Sequence, residues 1–381
     1  MNEATEQRPK RGPAARRVAL AAVALLVLAA LATALLRGVA LVTVADGLGL
    51  EVPRPLASEV VRTEVMLGGV EVDRYGPVAA SPTDRVPGTT DEASSPAEAR
   101  PVILLLPGAA PGGRDDQRVI AIATAIARAD REVLVPELAV YGEQLLPSDI
   151  DRISEVALAA TDRQRGVVLA GLSFGGSLGL LAAADPRLDD HVRLVATFGA
   201  YADLAGVVQA ITTGVSLIDG ERITWSPDPR AADVVRTQVL DLLDPADRAL
   251  VSDAVEGELD AAELDPELRS VHDLLTDPDP TRTMAHVAAA TEGVQARVGE
   301  VSPVRAAPGL TVPVIAMHAI DDPVIPVGEQ RRLAAAYPQT RAIELTTFGH
   351  VGLSDEPVAW WVTARDLWRT ATFLDAVLDA R

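Results

Sequence analysis

Residues 167–184 read Val167-Val168-Leu169-Ala170, then Gly171-Leu172-Ser173-Phe174-Gly175-Gly176, then Ser177-Leu178-Gly179-Leu180-Leu181-Ala182-Ala183-Ala184. A short continuous apolar run bounded by glycine predicts a buried strand, and the Leu/Ala-rich segment behind it predicts a helix. Between them stands a G-x-S-x-G turn in the context that gives this pattern meaning: strand, sharp turn, helix. Such a turn leaves no room for side chains beside the serine, so glycines flank it. The serine hydroxyl then projects from the carboxyl end of the strand, above a helix N-terminus that favours developing negative charge. A chance Gly/Ser string is the bland alternative, and the flanking strand and helix argue against it.

Outward from this point the same alternation recurs. Upstream, the pattern predicts a strand at Val102–Leu106, a helix at about Asp116–Ala129, a strand at Glu132–Val135 and a helix at about Asp149–Thr161. Downstream, a strand is expected at Val192–Phe198, and then the rhythm stops for about a hundred residues. It resumes with a strand at Val312–His318, a helix at about Val327–Ala336, a strand at Arg341–Thr346 and a closing helix at about Val358–Leu378. Continuous Val/Leu/Ile runs between helices mean a parallel sheet covered on both faces. Residues 59–75 form two alternating runs about Gly68-Gly69, a β-hairpin. Gly76 to Arg100, rich in Pro, Ser, Thr and Asp, is expected to be a surface loop open to proteolysis. The interruption at 201–305 reads as a helical cap inserted in a continuous sheet. From Asp241 to Asp279 it holds thirteen carboxylates against Arg248 and Arg269. Calcium binding is one reading of them; a solvated helical face is the better one, because no spacing matches a calcium loop.

A serine is a weak nucleophile unless a base lies within hydrogen-bond reach and an acid orients that base. Of five histidines, His350 stands in Thr347-Phe348-Gly349-His350-Val351-Gly352, after the last strand, where the chain order serine, acid, histidine expects the base. His318 ends a strand and reads as structural; His191, His272 and His286 fall in helical or cap contexts. The acid should follow the penultimate strand, in His318-Ala319-Ile320-Asp321-Asp322-Pro323-Val324-Ile325-Pro326.

Together these three segments resemble the α/β-hydrolase superfamily, in which the acid often sits in an H-x-x-D-D-x-V-x-P loop. The resemblance covers Glu59 to Arg381 apart from the cap. It implies a mostly parallel central sheet with helices on both faces, an N-terminal hairpin and a helical cap. It also implies Asp321 as the acid, the first of the pair, with Asp322 as the alternative; either could instead be a turn residue before Pro323. An oxyanion hole is expected from the backbone N–H of Phe174 and of Ala109, or alternatively Ala110, in Leu106-Pro107-Gly108-Ala109-Ala110-Pro111-Gly112-Gly113. Family members often have His-Gly there; Pro107 replaces the histidine, which backbone donors can tolerate. The segment Leu274 to Arg305 looks like the caps of bacterial membrane-anchored α/β hydrolases.

The chain has 381 residues, 34 Lys+Arg against 54 Asp+Glu, a formal charge of −20 and 48% hydrophobic residues. That excludes binding driven by nucleic-acid phosphates, and it excludes global disorder. Without cysteine there is no disulfide framework, thiolate metal site or cysteine nucleophile. No phosphate-loop lysine accompanies the glycine-rich turns, so no metal, nucleotide or flavin cofactor is expected.

Val18 to Leu36 is a run of nineteen uncharged, mostly apolar residues behind a tail, residues 1–17, that carries Arg8, Lys10, Arg11, Arg16 and Arg17 against Glu3 and Glu6. This reads as one transmembrane signal-anchor helix with its N-terminus in the cytoplasm, a linker at 37–58 and the catalytic domain at 59–381 outside. A cleaved signal peptide, cut near Thr43-Val44-Ala45, is the alternative and would release a secreted protein. The tail's net +3 taken from −20 leaves −23 on the rest, which argues against docking on anionic head groups.

The sequence therefore predicts a membrane-anchored serine hydrolase that cleaves a carboxylic ester or related acyl bond of a small-molecule or lipid substrate. An acyltransferase with the same triad and a catalytically silent binding module of the same fold remain alternatives.

Overall fold

The computed structural model describes residues 59–77, 100–161, 164–218, 220–350 and 359–380. The expected membrane helix, the linker and most of the loop expected between Gly76 and Arg100 lie outside the described residues. Among the described residues no helix is long and apolar enough to cross a membrane.

Two strands, β1 (Val60–Leu67) and β2 (Val70–Pro77), form the antiparallel hairpin about Gly68-Gly69. The strands β3 (Val102–Leu106), β4 (Val133–Pro136), β5 (Val167–Leu172), β6 (Val192–Phe198), β9 (Val314–Ala319) and β10 (Thr340–Leu345) complete one eight-stranded sheet in the order β1-β2-β4-β3-β5-β6-β9-β10. The pairings from β4 to β10 are parallel, while β2 runs antiparallel to β4. This architecture fits the α/β-hydrolase fold that the resemblance implies.

Every residue of β3 is buried, as a strand covered on both faces must be. Its side chains divide by parity: Leu104 and Leu106 join the apolar cluster that extends through the cap, and Ile103 and Leu105 join a smaller cluster on the opposite face. Helices α1 (Gln117–Arg128) and α12 (Trp360–Asp379) pack on that smaller side; α2 (Ser148–Ala160) and α3 (Phe174–Ala182) pack on the other, with α11 (Gly328–Ala336) following β9.

Between β6 and β9 stand α4 (Leu204–Thr213), a two-stranded hairpin of β7 (Val215–Ile218) and β8 (Glu221–Thr224), then α5 (Pro229–Leu240), α6 (Pro245–Glu256), α7 (Pro266–Thr276), α8 (Thr283–Ala289), α9 (Glu292–Glu300) and the short α10 (Pro303–Ala306). The hairpin departs from an all-helical expectation. The acidic character of this region has a structural cause: Asp228, Asp244 and Asp265 each precede a proline at the first helical position and accept backbone N–H bonds there. Among the described residues no group of three or more His, Asp or Glu side chains is arranged to hold a metal ion.

The insertion leaves and rejoins the sheet at one place. Leu204 N–H donates to Ser302 Oγ (2.9 Å), Val304 N–H to Ala202 O (3.2 Å), and the Arg305 guanidinium grips both oxygens of Asp203 at 2.9 and 2.8 Å. Beneath this seam the buried Glu329 accepts from the N–H groups of Ala202 (3.0 Å) and Asp203 (2.8 Å), with Arg332 at 3.0 Å. Burial pushes the Glu329 carboxyl above its ordinary range, against the Arg332 charge and the N–H bonds.

Candidate active site

Ser173 follows β5 and opens α3 with φ +52° and ψ −131°, a conformation costly for any residue with a side chain. Its N–H is held by Phe198 O at 2.8 Å and its carbonyl by Gly176 N–H at 3.0 Å, so the neighbouring strand β6 and the helix fix the turn. Gly175 is required for packing: a Cβ there would lie 2.1 Å from the carbonyl oxygen of Leu106. Gly175→Ala should therefore cost about 1–3 kcal/mol, because the obstacle is backbone that cannot swing aside; urea unfolding followed by circular dichroism measures it.

Ser177, one turn into α3, both donates to Tyr201 O (2.9 Å) and accepts from Tyr201 N–H (3.0 Å). Tyr201 in turn stacks edge-on against Phe174 at 5.7 Å between centroids. The residue expected as one oxyanion donor is thus packed rigidly. Gly108, Ala109 and Ala110 border the same cavity as Ser173 and Phe174, with Gly108 so close that a Cβ on it would fall 2.7 Å from Ser173 Cβ. The structure brings both candidate donors, Ala109 and Ala110, to the serine's wall and does not separate them.

Of the two aspartates expected as candidate acids, the structure brings the alternative one to the histidine. Asp322, not Asp321, faces His350: its Oδ2 lies 2.7 Å from His350 Nδ1, and the carboxylate is fully buried. Asp321 is exposed. The physical reason is the turn itself. Asp322 Oδ1 accepts the N–H groups of Val324 (2.8 Å) and Ile325 (3.0 Å), a local turn that swings the side chain inward and leaves Oδ2 for the histidine. The turn role and the site role, read as alternatives for these aspartates, belong to different oxygens of one carboxylate.

His318 lies behind Asp322. Its Nε2–H donates to Ile325 O at 2.8 Å and stands 3.3 Å from Asp322 Oδ2, while its buried Nδ1 has no hydrogen-bond partner among the described residues. Burial alone would raise the Asp322 carboxyl; hydrogen bonds from His318 and His350 outweigh it and hold the group well below the usual carboxylate range. An ionised carboxylate only accepts, so His350 Nδ1 carries a proton, and in the neutral imidazole Nε2 keeps its lone pair. The sign of the linkage follows. A carboxylate held below its unfolded value of about 3.9 adds stability that is complete above that pH and drains away as pH falls towards the folded value. The stability difference between the wild type and Asp322→Asn should shrink below about pH 4, which urea titrations at pH 3 to 6 would show.

The imidazole–carboxylate pair fits because the chain opposite is bare. Gly199, at φ +67°, follows β6 with its Cα facing them; a Cβ there would lie 3.1 Å from His350 Cε1 and 3.4 Å from Asp322 Oδ2. The other histidines stand apart from this site: His272 and His286 bond Asp273 and Asp277 within the cap, and His191 gives its carbonyl to Val167 N–H.

Two residues absent from the sequence reading complete the surroundings. Trp225, beyond β8, donates its indole N–H to the backbone carbonyl of Asp322 (2.7 Å), and Asp228 N–H donates to Pro323 O (2.7 Å), so the cap holds the acid's turn directly. Trp225→Phe keeps the ring and removes the donor; it should lower kcat about five- to tenfold with little change in KM, as steady-state kinetics would reveal, and cost about 1 kcal/mol of stability.

Ser173 and His350 open on one cavity of about 700 Å³, walled by the 107–111 loop, α1, α4 and α5. Its wall is chiefly apolar, and the charged groups bordering it are spoken for: Arg118 pairs with Asp116 (2.6 Å), Arg230 with Glu143 (3.2 Å), and Asp228 caps α5.

No family model matches the chain, and no curated protein matches it in sequence. Similar solved structures include an esterase from the bacterial hormone-sensitive lipase family, 16% identical with a TM-score of 0.45 over 86% of each chain. Another is a membrane phospholipase A described as a bacterial virulence factor, 18% identical, with a TM-score of 0.43 over 96% of this chain and 100% of that one. A third is a meta-cleavage product hydrolase from Pseudomonas fluorescens IP01, 16% identical with a TM-score of 0.40, covering 82% of this chain and 97% of that one. At these identities and TM-scores none of them lends its activity to this chain.

Proposed function

We propose that this chain is a serine hydrolase of carboxylic esters that works through an acyl-enzyme. The carrying observation is the 2.7 Å contact of Asp322 Oδ2 with His350 Nδ1, on a histidine that shares one cavity with a serine held at a strained strand-to-helix turn. In this reading Ser173 Oγ forms a bond to the ester carbonyl carbon while His350 Nε2 takes the hydroxyl proton. The carbonyl oxygen becomes an oxyanion facing the N–H groups of Phe174 and of Ala109 or Ala110. Collapse breaks the bond to the leaving alkoxide, which receives the proton from His350. Water then repeats the sequence on the acyl-enzyme, giving the free acid and restoring Ser173. Asp322 keeps the imidazole in the required tautomer and stabilises the imidazolium.

The chiefly apolar wall, with Arg118 and Arg230 paired to carboxylates and Asp228 capping α5, supports an uncharged substrate. The basic tail and the nineteen uncharged residues at Val18–Leu36 support an extracytoplasmic domain held at the membrane.

Fluorophosphonate labelling with peptide mapping, beside a panel of neutral p-nitrophenyl esters, tests the reading. Label on Ser173 with ester turnover is expected. Folded protein that takes no label there would sink the hydrolase reading and favour a silent binding module.

A further inference from the structure

Beside the cavity at Ser173 lies a second one, of about 410 Å³, and the two share Glu143 and Val235 as wall residues. The second reaches into the cap, between the 143–146 segment and helices α4, α5, α7, α8 and α9. Its apolar lining is wholly aliphatic, with Leu204, Val208, Leu274, Val294 and Val298 among its walls and no aromatic ring. Among its polar members Glu143 pairs with Arg230, Asp241 with Arg248, and Arg297 donates to Leu145 O at 2.6 Å, while the buried Gln238 Nε2 has no hydrogen-bond partner among the described residues.

Close-packed interiors seldom keep voids much larger than a water molecule, because the lining side chains forfeit their contacts across the gap. A cleft of this size, partly open to solvent among five cap helices, leaves aliphatic side chains without contacts that an occupant would supply. An aliphatic wall without ring faces suits a flexible hydrocarbon chain better than a planar aromatic group. Val235 and Glu143 border both cavities, so a chain passing them would join the second cavity to the one that holds Ser173.

We infer that the second cavity is the compartment for a long aliphatic acyl chain, whose carbonyl lies at Ser173 and whose tail passes Val235 into the cap. This rests on the reading of Ser173 as the nucleophile. The substrate class is then an uncharged ester of a medium- to long-chain fatty acid. Short esters fill the first cavity alone and forgo the contacts in the cap, where each buried methylene adds roughly fourfold in binding.

The experiment compares kcat/KM for p-nitrophenyl esters from butanoate to dodecanoate in the wild type, in Val294→Trp and in Val298→Trp. Neither valine borders the first cavity. In the wild type kcat/KM should rise at least tenfold from butanoate to dodecanoate, and each tryptophan should reduce the dodecanoate-to-butanoate ratio by tenfold or more. A ratio unmoved in a variant that melts like the wild type overturns the inference.

Should both variants misfold, the wild type decides through inhibition by trifluoromethyl ketones. A dodecyl chain is expected to bind at least tenfold tighter than a butyl chain. Equal inhibition by the two chains overturns the acyl compartment and leaves the nucleophile standing. Absence of fluorophosphonate label on Ser173 overturns the nucleophile itself.

Discussion

Ser173→Ala should lower kcat on any ester the wild type cleaves by about 10⁴- to 10⁶-fold, leaving a residue of rate that comes from binding and the oxyanion donors. The loss is large because the three side chains act as a unit: without the nucleophile, His350 and Asp322 have no proton to move. Stability should change little, since the turn is held by backbone, Ser173 N–H to Phe198 O and Gly176 N–H to Ser173 O, and not by the hydroxyl. Stopped-assay kinetics on purified protein, with a melting curve alongside, measure both. Full activity in a folded Ser173→Ala protein would end the mechanism proposed here.

Asp322→Asn should cost about 10⁴-fold in kcat, whereas Asp321→Asn should stay within a few-fold of the wild type. The amide presents an N–H as readily as an oxygen to His350 Nδ1, so the histidine can adopt the wrong tautomer with its proton on Nε2. The same change also removes the ionised oxygen that would stabilise an imidazolium. Nothing comparable happens at the exposed Asp321. The paired measurement separates the neighbours: equal losses would mean that the acid's turn matters as a whole, and a loss confined to Asp321→Asn would reverse the assignment.

How much of this was legible beforehand varies with the range of the interaction responsible. The strands around Ser173 were readable because continuous burial writes itself as continuous Val, Leu and Ile. The elbow was readable because close approach of backbone to backbone demands glycine at fixed offsets. His350 followed from its place after the last strand. The choice between Asp321 and Asp322 was not readable from adjacent identical residues; it depends on which carboxylate accepts the N–H groups of Val324 and Ile325, a fact of turn geometry. The position of β4 outside β3 is likewise a matter of pairing, invisible in either strand alone. Trp225 is the clearest miss: it lies 97 residues from Asp322 in the chain, and nothing local in a single tryptophan announces a bond to a distant carbonyl. In the cap, the excess of carboxylates was read as a solvated surface, while the Asp-Pro pairs at 228, 244 and 265 were helix-start signals in plain view.

The seam at the base of the cap bears on how such a protein diversifies. Because Leu204 and Ser302 touch, the intervening segment begins and ends at one doorway, and excising it would ask the sheet to bridge only a single hydrogen bond's length. A different run of residues of almost any length could be spliced between Asp203 and Arg305, since the entropy of closing a loop grows only slowly with its size. The Asp203–Arg305 clasp is thus a socket, and new specificities could be acquired by exchanging what is plugged into it. An incoming segment that again supplied a donor to the carbonyl of Asp322, as Trp225 does now, would keep that turn held from the cap.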